Sequence, residues 1–267
     1  MIQCVRGLGA EVEIGSDGTT IDVTGVAGSP VSAASLEARQ SGTTARFIAG
    51  VLSLATEPVL LDADVAMRDR PMDQMFDALR ALGVTISTTD RPDRLPARIC
   101  GPVNSSGSMP TVIIPGDVSS QFTSGLLLAA PCMPDGLHVC LTGEVVSRPY
   151  LSMTVEVMRS FGASVDIPDQ DTFVVHRGSY MARTYDIEPD ATAASYFFAA
   201  AVICGGSVRV DGLGSSSMQG DLGFVDVLAS MGAEVAVESH ATTVTAAPLH
   251  GVTADFSQIS DTAKTTA

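Results

Sequence analysis

Four stretches of the chain share one pattern of apolar and polar positions. An amphipathic run with apolar residues every three or four positions leads into a hydrophobic-Gly step and then into alternating apolar and polar residues. They are CVRGLGAEVEI around Gly9, MFDALRALGVTI around Gly83, VEVMRSFGASVDI around Gly162 and VDVLASMGAEVAV around Gly232, repeating at intervals of 70 to 79 residues. Each predicts a helix, a glycine in the left-handed region at its C-terminus, and a strand. A second type of helix interleaves with these, opening on small and hydroxyl residues: SGTTARFIAGVLSLA from Ser41, SSQFTSGLLLAA from Ser119 and ATAASYFFAAAVI from Ala191. ISDTAKTTA from Ile259 opens like a fourth. Apolar strands are expected over 59–61, 111–114, 137–141 and 207–210.

The repeating unit is therefore roughly βαβαββ and about 75 residues long, an α/β repeat architecture and not a doubly wound sheet. Such a unit cannot close its own core. The natural arrangement places sheets outside and the small, apolar helices (126–130 and 197–203, expected to be buried all round) inside, while the helices near Arg80 and Arg159 are amphipathic. The segment 177–190, with its Gly, Pro and charge, breaks the hydrophobic rhythm as a connector does. It divides the chain into domains over 1–186 and 187–267. The chain opens inside one repeat and stops inside another, so the expectation is an internal fragment whose second domain is incomplete.

Composition narrows the partners. With 267 residues, 45% hydrophobic content and a mean hydropathy of +0.29, the chain can bury a sizeable core. Its longest apolar runs, such as 196–204, are too short to span a bilayer, and no leader pattern stands at its start. A net charge of −15 repels nucleic-acid phosphates, so neither nucleic acid nor membrane is an expected partner. Any small anionic substrate must then meet a local cluster of positive charge. Lys264 is the only lysine, against fourteen arginines. The five cysteines show no CxxC spacing, and the four histidines stand apart, which points to reduced thiols in a cytoplasm-like compartment and to no metal site.

The chemistry-bearing residues cluster at helix starts. In PGDVSSQFTSGLLLAAP, a strand and a Pro-Gly turn lead to Ser119, Ser120 and Gln121 at the head of an apolar helix, where free N–H groups and the macrodipole suit an anion. An ordinary cap explains the same serines. QSGTTARF offers Gly42 and Thr43 at a helix start with Arg46 one turn on, without a GxGxxG fingerprint. In MRDRPMDQMF, Arg68 and Arg70 precede a helix whose dipole disfavours them, so each reads either as a ligand group or as a partner of Asp69. SRPY reads either as a capped helix with Tyr150 at the core edge or as a ring that stacks on a carbocycle while Ser147 binds a substituent. Asp261 in ISDTA reads as an N-cap with a low pKa, or as a general base if it faces a cleft.

Taken together and in this order, QSGTTARF, DRPMDQMFDALRALG, GDVSSQF, SRPY, EPDATAASYFFAAA and ISDTA closely resemble the 5-enolpyruvylshikimate-3-phosphate synthase family over essentially the whole chain. The resemblance implies the enolpyruvyl transferase fold, an inside-out α/β barrel of βαβαββ units in two domains with the active site in the cleft between them. It implies transfer of the enolpyruvyl group of phosphoenolpyruvate to the 5-hydroxyl of shikimate 3-phosphate, with loss of phosphate and without cofactor or metal, in a cytoplasmic monomer. By position, Ser119, Ser120, Gln121, Ser147, Tyr150 and Asp261 match the family's shikimate 3-phosphate ligands. Gly42, Arg70 and Gln121 match its phosphoenolpyruvate site, and Asp261 its catalytic base. Arg68 has no such match.

The family's N-terminal Lys-Ser and Arg, its later Lys-Glu pair and its C-terminal arginines and lysine have no counterpart here, so the chain is expected to be inactive alone. Two other readings stand beside this one. The related UDP-N-acetylglucosamine enolpyruvyl transferase resembles the chain in RPMDQMFDALRALG, but has a loop cysteine that is absent before Arg70. A non-catalytic binding module would have kept the fold without need of the polar set.

Overall fold

The computed structural model describes residues 1–31 and 33–266, which form two compact units: Met1–Val145 with Thr154–Ala182, and Val146–Met153 with Arg183–Ala267. The first unit opens with helix α1 (Ile2–Gly7) and an antiparallel hairpin of β1 (Glu11–Ile14) and β2 (Ile21–Thr24). Then follow β3 (Ser35–Glu37), α2 (Gly42–Leu52), β4 (Val59–Asp62), α3 (Val65–Arg68), α4 (Asp73–Ala81), β5 (Thr85–Thr88) and β6 (Ala97–Cys100). These strands make a sheet in the order β3-β4-β6-β5, with β3 and β4 parallel and the other pairs antiparallel. The next stretch repeats the plan with β7 (Thr111–Pro115), α5 (Ser120–Ala129), β8 (Leu137–Thr142), α6 (Arg148–Ser160), β9 (Val165–Asp169) and β10 (Thr172–Val175). Its order is β7-β8-β10-β9, again with only the first pair parallel. Two complete βαβαββ units with the same strand order are thus present.

Local sequence explains these elements. In β8, Leu137, Val139 and Leu141 are buried while His138 and Cys140 turn the other way, the period of two that a sheet with one covered face requires. The repeat glycines Gly9, Gly83, Gly162 and Gly232 all follow helices with φ between 86° and 112°, where a Cβ would be strained. α2 and α5 are buried along nearly their whole length and cross at their glycines. A Cβ on Gly50 would lie 2.2 Å from the Gly125 carbonyl oxygen.

The second unit contains α7 (Ala191–Cys204), β11 (Ser207–Asp211), a 3-10 turn (Gly220–Gly223), α8 (Phe224–Ser230), β12 (Glu234–Val237), β13 (Ala241–Thr245), a second 3-10 turn (Ser260–Thr262) and α9 (Ala263–Thr266). Its sheet runs β11-β13-β12, antiparallel throughout. Phe198, Leu213, Phe224, Leu228 and Val244 form its core. The expectation that 197–203 is buried all round is corrected here. One face of α7 packs on this core, but Phe197 and Ile203 are 63% and 76% exposed, because no described element covers the other face. No helix among the described residues is long and apolar enough to cross a membrane.

Candidate functional site

In the first unit, the heads of α2 and α5 bring a set of polar side chains together. Ser41 caps α2, accepting from the Thr44 N–H at 3.1 Å, so the helix starts at Gly42. Glycine is needed at this point because the Arg70 guanidinium lies over it. A Cβ there would be 2.6 Å from Arg70 Nη1 and 3.5 Å from Arg46 Nη1. Arg46, one turn into α2, is only 4% exposed; its guanidinium sits 4.5 Å over the Phe122 ring. Its Nη1 donates to Gln121 Oε1 at 2.5 Å and to Ser119 Oγ at 3.4 Å, and Gln121 Nε2 donates to Thr43 Oγ1 at 3.1 Å. Both ends of the Gln121 amide are thereby fixed.

The electrostatics of this cluster are one-sided. Burial, and then the neighbouring charge of Arg70, push the Arg46 pKa down to about 10. Among the described residues no carboxylate pairs with Arg46 or Arg70, and Arg46 Nε is buried without a hydrogen-bond partner. Two adjacent guanidiniums without a counter-ion, beside a helix N-terminus, attract an anion. Arg68, two residues earlier, differs entirely: its Nε and Nη2 grip Asp62 at 2.8 and 2.7 Å. Asp69, the partner considered from sequence, instead accepts from Arg91 at 2.6 Å. Ser119 does cap α5, accepting from the Gln121 N–H at 3.4 Å while facing Arg46, so the cap and cluster readings coincide in one residue. Ser120 is half-buried beside it.

In the second unit, a separate cluster forms around Tyr150. Ser147 has φ +56°, a left-handed conformation that costs a non-glycine residue energy. It is held there by its N–H, which donates to Ser257 at 2.9 Å, and by a hydroxyl contact with Ser260 at 3.1 Å. This turn starts α6 and carries Tyr150 inward, where its hydroxyl lies 2.7 Å from Asp221 Oδ2 and 3.1 Å from Asp261 Oδ2. Burial first, then the hydrogen bond and charge of Asp221 and the charge of Asp261, raise the Tyr150 pKa far above the ordinary phenol value, so the hydroxyl keeps its proton. Asp261 is exposed inside the 3-10 turn before α9, and Ile259 occupies the N-cap position of that turn. Tyr150 is therefore neither a simple core edge nor only a stacking ring, since its hydroxyl joins two carboxylates.

Of the residues singled out from sequence, Gly42, Arg70, Ser119 and Gln121 meet in the first unit, and Ser147, Tyr150 and Asp261 meet in the second. Sequence reasoning left Arg46 without a role, although an arginine inside a helix of small residues is itself a signal: burial of that charge requires a partner or a ligand. Asp221 was missed altogether. It lies 71 residues from Tyr150, and only the fold brings the two together.

Comparison with known proteins identifies the family of the chain. The family model for EPSP synthase (3-phosphoshikimate 1-carboxyvinyltransferase) matches residues 1–267. A 3-phosphoshikimate 1-carboxyvinyltransferase of Serratia proteamaculans is 36% identical over 271 residues, covering all of this chain and 62% of the relative. One of Edwardsiella ictaluri is 37% identical with the same coverage. The chain thus spans about three fifths of the length of the curated relatives it matches. An EPSP synthase structure from Acinetobacter baumannii superposes with a TM-score of 0.78 at 23% identity, over 99% of this chain and 60% of that one, which shows the fold. On the match across its whole length and the identity to these relatives, the chain belongs to the EPSP synthase (3-phosphoshikimate 1-carboxyvinyltransferase) family.

Proposed function

We propose that the protein transfers the enolpyruvyl group of phosphoenolpyruvate to the 5-hydroxyl of shikimate 3-phosphate and releases inorganic phosphate, as a monomer in the cytoplasm. The observation that carries this reading is the arginine pair over Gly42, uncompensated by any described carboxylate and fixed beside the Gln121 amide. In this reading Gly42, Arg70 and Gln121 hold phosphoenolpyruvate, with Arg46 setting the orientation of Gln121. Ser119, Ser120, Gln121, Ser147, Tyr150 and Asp261 hold shikimate 3-phosphate. Asp261 takes the proton from the 5-hydroxyl as the hydroxyl oxygen bonds to C2 of phosphoenolpyruvate and a proton from solvent adds at C3. Loss of that C3 proton then re-forms the double bond as the C2–O bond to phosphate breaks. A positioned base of this kind contributes about 10² to 10⁴ in rate.

The test is calorimetric titration of the protein at its natural length. Shikimate 3-phosphate binds, phosphoenolpyruvate binds in its presence, and Arg70→Ala weakens the phosphoenolpyruvate step at least tenfold. Binding of UDP-N-acetylglucosamine in place of shikimate 3-phosphate would overturn the substrate assignment.

A further inference from the structure

Asp221 is the one carboxylate among the described residues with nearly complete burial, at 4% exposure. It sits in the 3-10 turn before α8, and its Oδ2 accepts from two hydroxyls, Tyr150 at 2.7 Å and Thr192 of the first turn of α7. Its Oδ1 is buried without a hydrogen-bond partner. Stability alone disfavours this arrangement, because two neutral hydroxyls on one oxygen compensate a buried carboxylate poorly. Around it lies a cavity of about 220 Å³, lined by Tyr150, Met153, Asp190, Gln219 and Gly220 among others.

The Tyr150 hydroxyl has one hydrogen and two carboxylate neighbours, and the nearer is Asp221, at 2.7 Å against 3.1 Å for Asp261. We propose that Asp221 is a positioning residue that captures the Tyr150 hydroxyl hydrogen, so that Tyr150 turns its oxygen lone pairs toward Asp261 and leaves that carboxylate free to take up a proton. Resting on the reading of Asp261 as the base, this gives Tyr150 a definite orientation. Were the hydrogen directed at Asp261, it would stabilise the carboxylate form and make the group a weaker base. Thr192 holds Asp221 in place from the α7 side. Among the described residues, the charged and titratable groups near Tyr150 include Asp221 and Asp261 at its hydroxyl, Asp190, which caps α7 and lines the same cavity, and Arg148, which precedes it at the start of α6; Lys264 follows one turn after Asp261.

The test is a double-mutant cycle read by carboxyl ¹³C NMR titration of Asp261, whose resonance is assigned by its loss in Asp261→Asn. In Asp221→Asn the side-chain amide donates to the Tyr150 oxygen and the hydroxyl hydrogen turns to Asp261, so the Asp261 midpoint falls. Adding Tyr150→Phe in that background raises the midpoint by roughly half a pH unit, while Tyr150→Phe in the wild-type background does not raise it, because there the hydroxyl presents lone pairs and not its hydrogen to Asp261. Loss of the Asp221 charge alone would shift both members of the pair equally. An equal effect of Tyr150→Phe in the two backgrounds overturns the proposal. Thr192→Val, which keeps the Asp221 carboxylate, leaves the midpoint in place; a fall as large as that of Asp221→Asn would attribute the effect to general disruption and overturn the proposal too. Should Asp221→Asn fail to fold, Tyr150→Phe alone decides, since a rise of half a pH unit would show that Tyr150 already donates to Asp261. These midpoints need no turnover. Phosphate release that survives Asp261→Asn would separately overturn the base reading, and the proposal with it.

Discussion

Gly50 of α2 and Gly125 of α5 meet backbone to backbone: a Cβ on the first would lie 2.2 Å from the carbonyl oxygen of the second, and a Cβ on Gly125 would lie 2.7 Å from the Arg46 carbonyl oxygen. Neither obstacle is a flexible side chain, so any substituent forces the helices apart. The Arg46–Gln121 hydrogen bond spans this same pair of helices. Gly50→Ala is therefore expected to destabilise the chain by about 2 kcal/mol or more, despite the roughly 1 kcal/mol that alanine gains in helix propensity. Urea unfolding measures this, and an unchanged midpoint would contradict the close crossing.

Gly42 separates binding from stability. Its Cβ would displace the Arg70 guanidinium, the end of a long, exposed side chain that can move aside. Gly42→Ala is expected to leave stability within about 0.5 kcal/mol of the wild type. Phosphoenolpyruvate affinity should fall about tenfold, equivalent to about 1.4 kcal/mol. Calorimetry and thermal unfolding on the same variant check both halves.

Arg46 is harder to charge in the folded chain than in the unfolded one, its pKa being pushed down to about 10, so its burial opposes folding at neutral pH and is relieved only as pH rises past that value. A bound anion offsets this cost. Phosphate at about 100 times its Kd should add roughly 2.7 kcal/mol to the wild-type stability. In Arg46→Met the stability without ligand changes by less than about 1 kcal/mol, as relief of the buried charge offsets the lost bonds to Gln121 and Ser119, and the phosphate effect disappears. Thermal unfolding with and without phosphate reads the difference.

The repeat was legible because its signals are local. Gly83 and Gly162 close helices in left-handed conformations, and the strands between them alternate with a period of two. The heads of α2 and α5 were legible for the same reason, since Ser41 and Ser119 are caps. Pairings set by the sheet were not. Arg68 reaches Asp62 at the end of β4 and not its neighbour Asp69, and Asp221 meets Tyr150 only after β11 and the following loop have folded back. Composition also misled for α7: residues such as Phe197 and Ile203 say that a face is apolar, but not whether anything described covers it.

Glu188 gives the second unit a pH dependence of calculable sign. Burial raises its pKa, but hydrogen bonds from Gln219, Ser217 and the Met218 N–H outweigh that and hold it below the usual value of 4.5. Gln219 Oε1 in turn accepts from the Ala191 N–H at 2.8 Å at the head of α7. A depressed folded pKa contributes stability that is present above pH 4.5 and lost as pH falls through the folded value. Glu188→Gln should therefore be less stable than the wild type at pH 7, with the gap closing below pH 4.5. A gap of constant size across that range would contradict the assignment.

The central claim is an enolpyruvyl transfer that needs both phosphorylated substrates. ³¹P NMR of phosphoenolpyruvate mixed with shikimate 3-phosphate and the protein at its natural length tests it most directly. The account predicts that the phosphoenolpyruvate signal is replaced by inorganic phosphate, together with a new carboxyvinyl shikimate phosphate signal, and only when shikimate 3-phosphate is present. An unchanged phosphoenolpyruvate signal, or phosphate released equally without the second substrate, would contradict it.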